Sequence, residues 1–375
     1  NIPPLRFPGF SDEWRKTTLG NNCEIQMCKR ILAQQTNPDD GVPFFKIGTI
    51  GGKPDAYISS ELFNQFKEKY NYPQKGEVLI SCAGTVGRCV RFDGKPAYFQ
   101  DSNIVWPRNN QNTYTNDFLY YILSKQNWRH LNTTTIIRIY NDDLRSLKFS
   151  HPSIEEQQKI TSLLSAIDKR IATQNKIIED LKKLKSAIID GHFNGLKANC
   201  RIGELITEIS QRNRRQESLP VLSVSNRSGF IAQSEQFGNR TIASEDTSNY
   251  KIVITNDFAF NPARINVGSI ARLINYEKGI VSPMYICFRC KDGISSEYLD
   301  LFFKSRYFQT EVGKRLEGSV RQCLSIDGIK SIQIERIPMS QQMKWAKRLT
   351  TIESKLTIEE NIDQLYLSLI HISEP

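Results

Sequence analysis

Apolar residues in the middle of the chain recur in alternating steps of four and three: Ile160, Leu164, Ile167, Ile171, Gln174, Ile178, Leu181, Lys185 and Ile188. Seven of these nine are apolar, which is the seam of a coiled coil. Ser153, with Glu156 three residues on, supplies a capping-box start, and Gly191 a stop. The pattern predicts about 38 helical residues, a rod of roughly 55 Å at ~1.5 Å per residue. A second seam follows late in the chain through Leu349, Ile352, Leu356, Ile362 and Tyr366.

Ahead of each rod the pattern changes to short β-branched runs cut by Gly and Pro, the mark of a strand meander. Glu77–Ser81, Arg88–Phe92 and Ile104–Trp106 are predicted strands, and Asp117–Leu131 a helix with an apolar face. In the later block Ile252–Phe260, Ser269–Ile274 and Met284–Phe288 are predicted strands, and Ser296–Leu316 the helix.

The two blocks are copies of one another. Leu19-Gly20 matches Ile202-Gly203, and Val42–Ile47 matches Leu219–Val224. Gly76–Ile80 matches Asn256–Phe260, Val86-Gly87 matches Val267-Gly268, and Arg91 and Arg272 follow. Asn116–Leu119 then matches Ser296–Leu299, and Asp142–Leu147 matches Asp327–Ile332. Pro152 and Gln157-Gln158 find partners in Pro338 and Gln341-Gln342. So many matches in one order make the chain a tandem duplication with a period near 180 residues. The expected fold class is α+β. Two duplicated mixed α/β domains, residues 1–152 and 196–338, are each followed by a long helix, residues 153–195 and 339–375. The two helices pack as an antiparallel coiled coil.

Charge adds a partner class to this architecture. The net charge is +10, and it falls on both globular blocks: residues 1–150 hold 19 basic against 14 acidic side chains, and residues 201–338 hold 19 against 15. Two separate basic blocks suit a phosphate backbone, where each neutralised phosphate releases counterions. No apolar run is long enough to span a bilayer. The eight cysteines follow no metal or disulfide spacing, which favours a reducing, cytoplasmic setting. The pair Cys287 and Cys290 lies on a predicted strand, where residues three apart point to opposite faces. Asn1 in place of Met is read as a clipped or incompletely recorded start. The tail Leu367–Pro375 is read as a truncation or a foreign read-through.

Enzyme motifs are incomplete. Asn261-Pro262-Ala263-Arg264 resembles the Asn-Pro-Pro-aromatic loop of adenine methyltransferases, but Arg264 stands where an aromatic ring must stack on the flipped base. Gly48–Lys53 lacks the Gly-Lys-Ser/Thr ending of a phosphate-binding loop, and the four histidines are scattered. A methyltransferase in its own right is therefore the weaker alternative. A coiled-coil structural adaptor accounts for the rods, but not for two basic domains rich in Asn, Arg, Ser and Thr.

Together these features resemble the specificity subunit of type I restriction-modification systems over essentially the whole chain. The resemblance is carried by the ordered duplication with a rod after each domain. It is also carried by Leu5–Phe10 with Trp14, by Pro152–Gln158 at the entry to the first rod, and by Asn261–Ile270. It implies a non-catalytic, DNA-binding subunit whose two target-recognition domains read the halves of a split DNA site. The rods would act as ruler and as dock for two methyltransferase subunits, with restriction subunits joining the complex. S-adenosylmethionine, ATP and Mg would belong to those partners, with no cofactor or metal in this chain.

Base reading needs donors and acceptors on short loops, Arg for guanine and Asn or Gln for adenine. The candidates lie where the copies agree in pattern and differ in chemistry. In the first domain they are Lys46, Thr49, Lys53, Thr85, Arg88, Gln100, Ser102, Asn103 and Arg138. In the second they are Ser225, Asn226, Arg227, Asn261, Arg264, Asn266, Ser282, Arg321 and Gln322. Arg138 and Arg321 are expected in matching slots as phosphate clamps. The run Arg212, Arg214 and Arg215 is read as a solvated turn.

Overall fold

The computed structural model describes residues 6–128, 138–195, 197–226, 228–233, 246–318 and 322–372. The chain forms two compact units, residues 1–172 with 365–375, and residues 173–364.

In the first unit, β1 (Arg15–Thr18) pairs with β9 (Lys148–His151) as a two-stranded ribbon. A four-stranded antiparallel sheet has the order β2 (Cys23–Met27), β8 (Ile104–Asn109), β5 (Val78–Ser81), β6 (Cys89–Arg91). A three-stranded sheet has β3 (Val42–Phe45) between β4 (Tyr57–Ile58) and β7 (Tyr98–Phe99), with β3 and β7 parallel. All four residues of β5 are buried, so this strand runs through the centre of the unit. Helix α1 (Ser60–Lys69), which the apolar pattern did not announce, is capped by the Ser59 hydroxyl. Helix α2 (Asn116–Lys125) starts at the Thr115 cap and ends at Gln126. Its predicted continuation to Leu131 stops there, with residues 129–131 outside the described ones. Helix α3 (Asn141–Ser146) leads into β9.

The second unit repeats this plan and adds one strand to the smaller sheet. A ribbon joins β10 (Cys200–Arg201) to β19 (Gln333–Ile334). Its four-stranded sheet has the order β11 (Ile206–Ile209), β18 (Ile286–Cys290), β15 (Phe258–Phe260), β16 (Ile270–Arg272). In a second sheet β12 (Val221–Ser225) lies between β13 (Gly229–Ala232) and β17 (Lys278–Val281), and β14 (Lys251–Ile254) pairs with β17. The uncommon parallel pair recurs here between β12 and β17.

Two predicted elements divide. Ile252–Phe260 is two strands in different sheets, because Asn256 turns the chain at φ 73° and the Asp257 carboxylate accepts the Ile254 N–H at 2.8 Å. The predicted helix Ser296–Leu316 is α6 (Ser296–Phe303) and α7 (Arg306–Gly313), following the one-turn helix α5 (Ile202–Leu205). Buried Ser305 caps α7 through its hydroxyl, and Asp190 accepts the Arg306 N–H at 2.8 Å, so the chain breaks where a fresh cap is available. Helix α8 (Ile326–Lys330) occupies the place of α3.

The side-chain brackets are duplicated with the strands. Buried Glu77 takes a forked pair of bonds from Arg108 at 3.0 and 3.2 Å, and buried Asp257 takes the same from Arg289 at 2.6 and 2.9 Å. Arg91 reaches Asp117 at 2.9 Å, and Arg272 reaches Glu297 at 2.7 Å. Gln157 accepts the Thr115 N–H and donates to the Thr113 and Pro152 carbonyls; Gln342 accepts the Ser295 N–H and donates to those of Gly293 and Ile337. Gln157 is thus equivalent to Gln342, which shifts the expected match of the two Gln-Gln pairs by one residue.

Helix α4 (Ile154–Phe193) is 40 residues long, and α9 (Met339–Ile372) is 34. Every predicted seam position of α4 is buried or half-buried. Ser153 caps it, but the Glu156 carboxylate holds Arg6 through two bonds of 2.7 Å instead of completing the capping box. The helix passes Gly191 by two residues. Within the second unit, Gln174 meets Glu359, Lys185 meets Glu353 at 2.6 Å and His192 stacks on Trp345 at 4.0 Å, so α4 and α9 run antiparallel. In α9 Leu349, Leu356 and Asp363 are buried, and the predicted seam positions Ile352, Ile362 and Tyr366 are half-buried.

Candidate nucleic-acid interface

The β5–β6 turn, the β7–β8 turn and the loop after β3 converge at one end of the first unit. The Cys82 N–H donates to Asn103 O at 2.7 Å, and Cys82 O accepts from the Ile139 N–H at 2.8 Å. Gln100 joins the third loop: its N–H donates to Phe45 O at 2.9 Å and its Oε1 accepts from the Ile47 N–H at 3.3 Å. Arg138 ties down the β7–β8 turn by donating to Ser102 O at 3.3 Å, where Ser102 sits at φ 54°.

The second unit builds the same end from equivalent pieces. The Leu324 N–H donates to Pro262 O at 3.1 Å, as Ile139 does to Cys82. The Ser269 hydroxyl donates to Val224 O at 3.2 Å, and the Val224 N–H donates to the Tyr285 hydroxyl at 3.3 Å. The β15–β16 loop, the β12–β13 turn and the β17–β18 turn are thereby held together. Gly87 and Gly268 close equivalent turns at φ 82° and 84°, a region that disfavours any side chain. At Gly87 a Cβ would also lie 2.2 Å from the Trp128 ring.

Most of the described sequence candidates fall in these loops, with Arg138 and Gln322 in the segments that lead to α3 and α8, and they divide into two groups. Some shape the loops. The Thr49 hydroxyl accepts the Lys46 N–H at 3.0 Å, and the Ser225 hydroxyl accepts the Ser228 N–H at 3.3 Å. Asn261 is 7% exposed, and its side-chain oxygen accepts the Ala263 N–H at 3.0 Å. Gln100, Ser102, Asn103, Ser282 and Arg138 are half-buried, and Lys46 pairs with Asp55 at 3.1 Å. Others face solvent: Lys53, Thr85 and Arg88 in the first unit, and Asn226, Arg264, Asn266 and Gln322 in the second. Arg227 and Arg321 lie outside the described residues. The equivalence of Ile139 with Leu324 places Cys323 opposite Arg138, so the expected match of Arg138 with Arg321 is two residues out of register.

Among the described residues the loop clusters present donors and cations to solvent. Burial pushes the thiols of Cys82, Cys89 and Cys287 up to about 12, far from ionising near neutrality. The search for donors alone passed over apolar side chains at the tips: Val267 and Met284 are 58% and 57% exposed. Their signal in the sequence was an apolar residue inside an otherwise polar loop.

Comparison with known proteins agrees with this architecture. Residues 11–183 match the family described as the type I restriction modification DNA specificity domain. A putative type I restriction enzyme specificity subunit of Haemophilus influenzae is 48% identical over 171 residues, 45% of this chain and 44% of that protein, so the match spans less than half of that relative's length. A putative type I specificity subunit of Methanocaldococcus jannaschii is 24% identical, covering 93% of this chain and 91% of its own. The S subunit of a type I restriction-modification system from M. genitalium shares the fold with a TM-score of 0.64 at 17% identity, covering 100% of this chain and 99% of that one. A second type I system chain has a TM-score of 0.57 at 14% identity, with 99% and 97% covered. Residues 11–183 thus match the type I restriction modification DNA specificity domain, and the chain as a whole is similar in sequence and in fold to type I specificity subunits.

Proposed function

We propose that this chain is the sequence-reading subunit of a type I restriction-modification assembly. It binds double-stranded DNA at a two-part site, one half read by the loop cluster of each unit, with the long helices as spacer and as dock for methyltransferase subunits. It carries out no chemistry itself. Methyl transfer and ATP-dependent cleavage, with their S-adenosylmethionine, ATP and Mg, belong to the modification and restriction subunits, and the complex works in the cytoplasm.

The observation that carries this reading is the repetition of one loop framework with different tips. The Ile139 N–H to Cys82 O bracket recurs as Leu324 N–H to Pro262 O, and the glycine turn at Gly87 recurs at Gly268, whereas Lys53, Thr85 and Arg88 in one copy give way to Asn226, Arg264 and Asn266 in the other. A conserved scaffold with interchanged donors is what reading two unlike sequences requires.

Modified-base sequencing of cells expressing the chain together with a cognate methyltransferase tests the proposal. Methyladenine confined to one two-part sequence is expected, and it should disappear when the chain is omitted. Methylation that persists without the chain, or shows no sequence preference, would overturn it.

A further inference from the structure

The tips of the second unit hold an apolar pair that hydrogen-bond reading does not use. Val267 and Met284 are more than half exposed, yet both stand on anchored loops. Val267 ends a helical turn whose Ile265 is buried, and Ser269, two residues on, is bonded to Val224 O. Met284 precedes Tyr285, whose hydroxyl accepts from the Val224 N–H and whose carbonyl accepts from Lys251 at 2.7 Å. Both loops are thus tied to one residue of β12; exposed Arg264 and Asn266 share the loop of Val267, and exposed Asn226 follows β12.

The first unit is different at the same places. Ile80 pairs with Val105 as Phe260 pairs with Ile286, so Met284 corresponds to Asn103. Val86, the counterpart of Val267, packs against its own unit's core. The apolar tips are therefore a property of the second unit's surface and not of the shared scaffold.

Large apolar side chains held in water on anchored loops that also carry exposed donors and a cation suit a surface that is mostly polar and apolar at one point. On the edges of a DNA groove that point is the thymine methyl group. Resting on the DNA-reading function proposed above, we infer that Val267 and Met284 recognise thymine in the second unit's half-site by packing against its methyl group.

The full chain is used to select from a random duplex library, and each thymine of the enriched sequence is then replaced singly by deoxyuridine, which removes only the methyl. At one or more thymines of one half-site, affinity should fall about fourfold per methyl, the worth of one buried apolar carbon. Val267→Ala and Met284→Ala, both at exposed positions, should bind the thymine and uracil duplexes equally there, while Ile274→Ala, at an exposed apolar position beyond the far end of β16, should keep the discrimination. An enriched sequence indifferent to uracil at every position would overturn the inference. So would a uracil effect that survives in both variants. Failure to enrich any sequence would instead sink the DNA-reading function itself.

Discussion

At the scale of single residues, the loop clusters separate side chains that build from side chains that face outward. Asn261, Thr49 and Gln100 spend their polar atoms on main-chain partners, so replacing them alters loop shape before it alters any contact. Arg264 and Asn266 are free of that duty and face solvent. Replacing either by Ala should weaken recognition of one half-site by about 1–3 kcal/mol per lost bidentate pair, measured as affinity for matched against single-mismatch duplexes. Equal loss on every duplex would assign the residue to the phosphates. The structural counterpart is Gln157, fully buried with three bonds to main-chain groups. Gln157→Leu leaves those groups unpaired at about 1–3 kcal/mol each, so a loss of at least about 3 kcal/mol in thermal or denaturant unfolding is expected. Gln342→Leu should cost a similar amount. The candidate list was legible in the sequence as a set of loops. Which members reach solvent was not, because Asn261 and Asn266 are alike until the fold gives one of them an N–H to accept.

At the scale of elements, the long helices were the most legible part. A seam spaced by fours and threes has one geometric solution, and α4 buries or half-buries each predicted position. Breaks were harder to see. The Ile252–Phe260 run is continuous in hydrophobicity, yet Asn256 and Asp257 turn it so that its halves join different sheets. Where α4 meets α9, His192 lies between Trp345 and the Tyr298 hydroxyl, 2.9 Å away. Burial holds its pKa below the usual imidazole value, against an opposing pull from Glu335. A base whose folded pKa is depressed binds more protons when unfolded, so the stability it contributes is present above its ordinary pKa near 6.5 and is lost as pH falls below it. Unfolding measured from pH 7.5 to 5 should show declining stability in the parent chain. His192→Phe, which retains a ring against Trp345, should flatten that limb. An unchanged slope would show that His192 does not titrate with unfolding.

At the scale of the whole molecule, the duplication governs what is expected of binding. Both units carry a basic excess, so a duplex with both half-sites should release more counterions than a duplex with one. The plot of log affinity against log salt should be steeper for the two-part duplex by about 0.9 for each added phosphate contact. Equal slopes would mean that a single unit engages DNA.

The order of matching segments was enough by itself to establish the repeat, the mixed α/β character of each copy and the two rods, because hydrophobic period and turn chemistry are local and survive in one dimension. It could not establish the register between copies to the residue. The pairing of Gln157 with Gln342 and of Ile139 with Leu324 emerged only when equivalent hydrogen bonds could be laid side by side. Nor could it tell which loop tips stand in water. That depends on which groups from distant strands come to share one end of a sheet, and such neighbours are decided by packing in three dimensions.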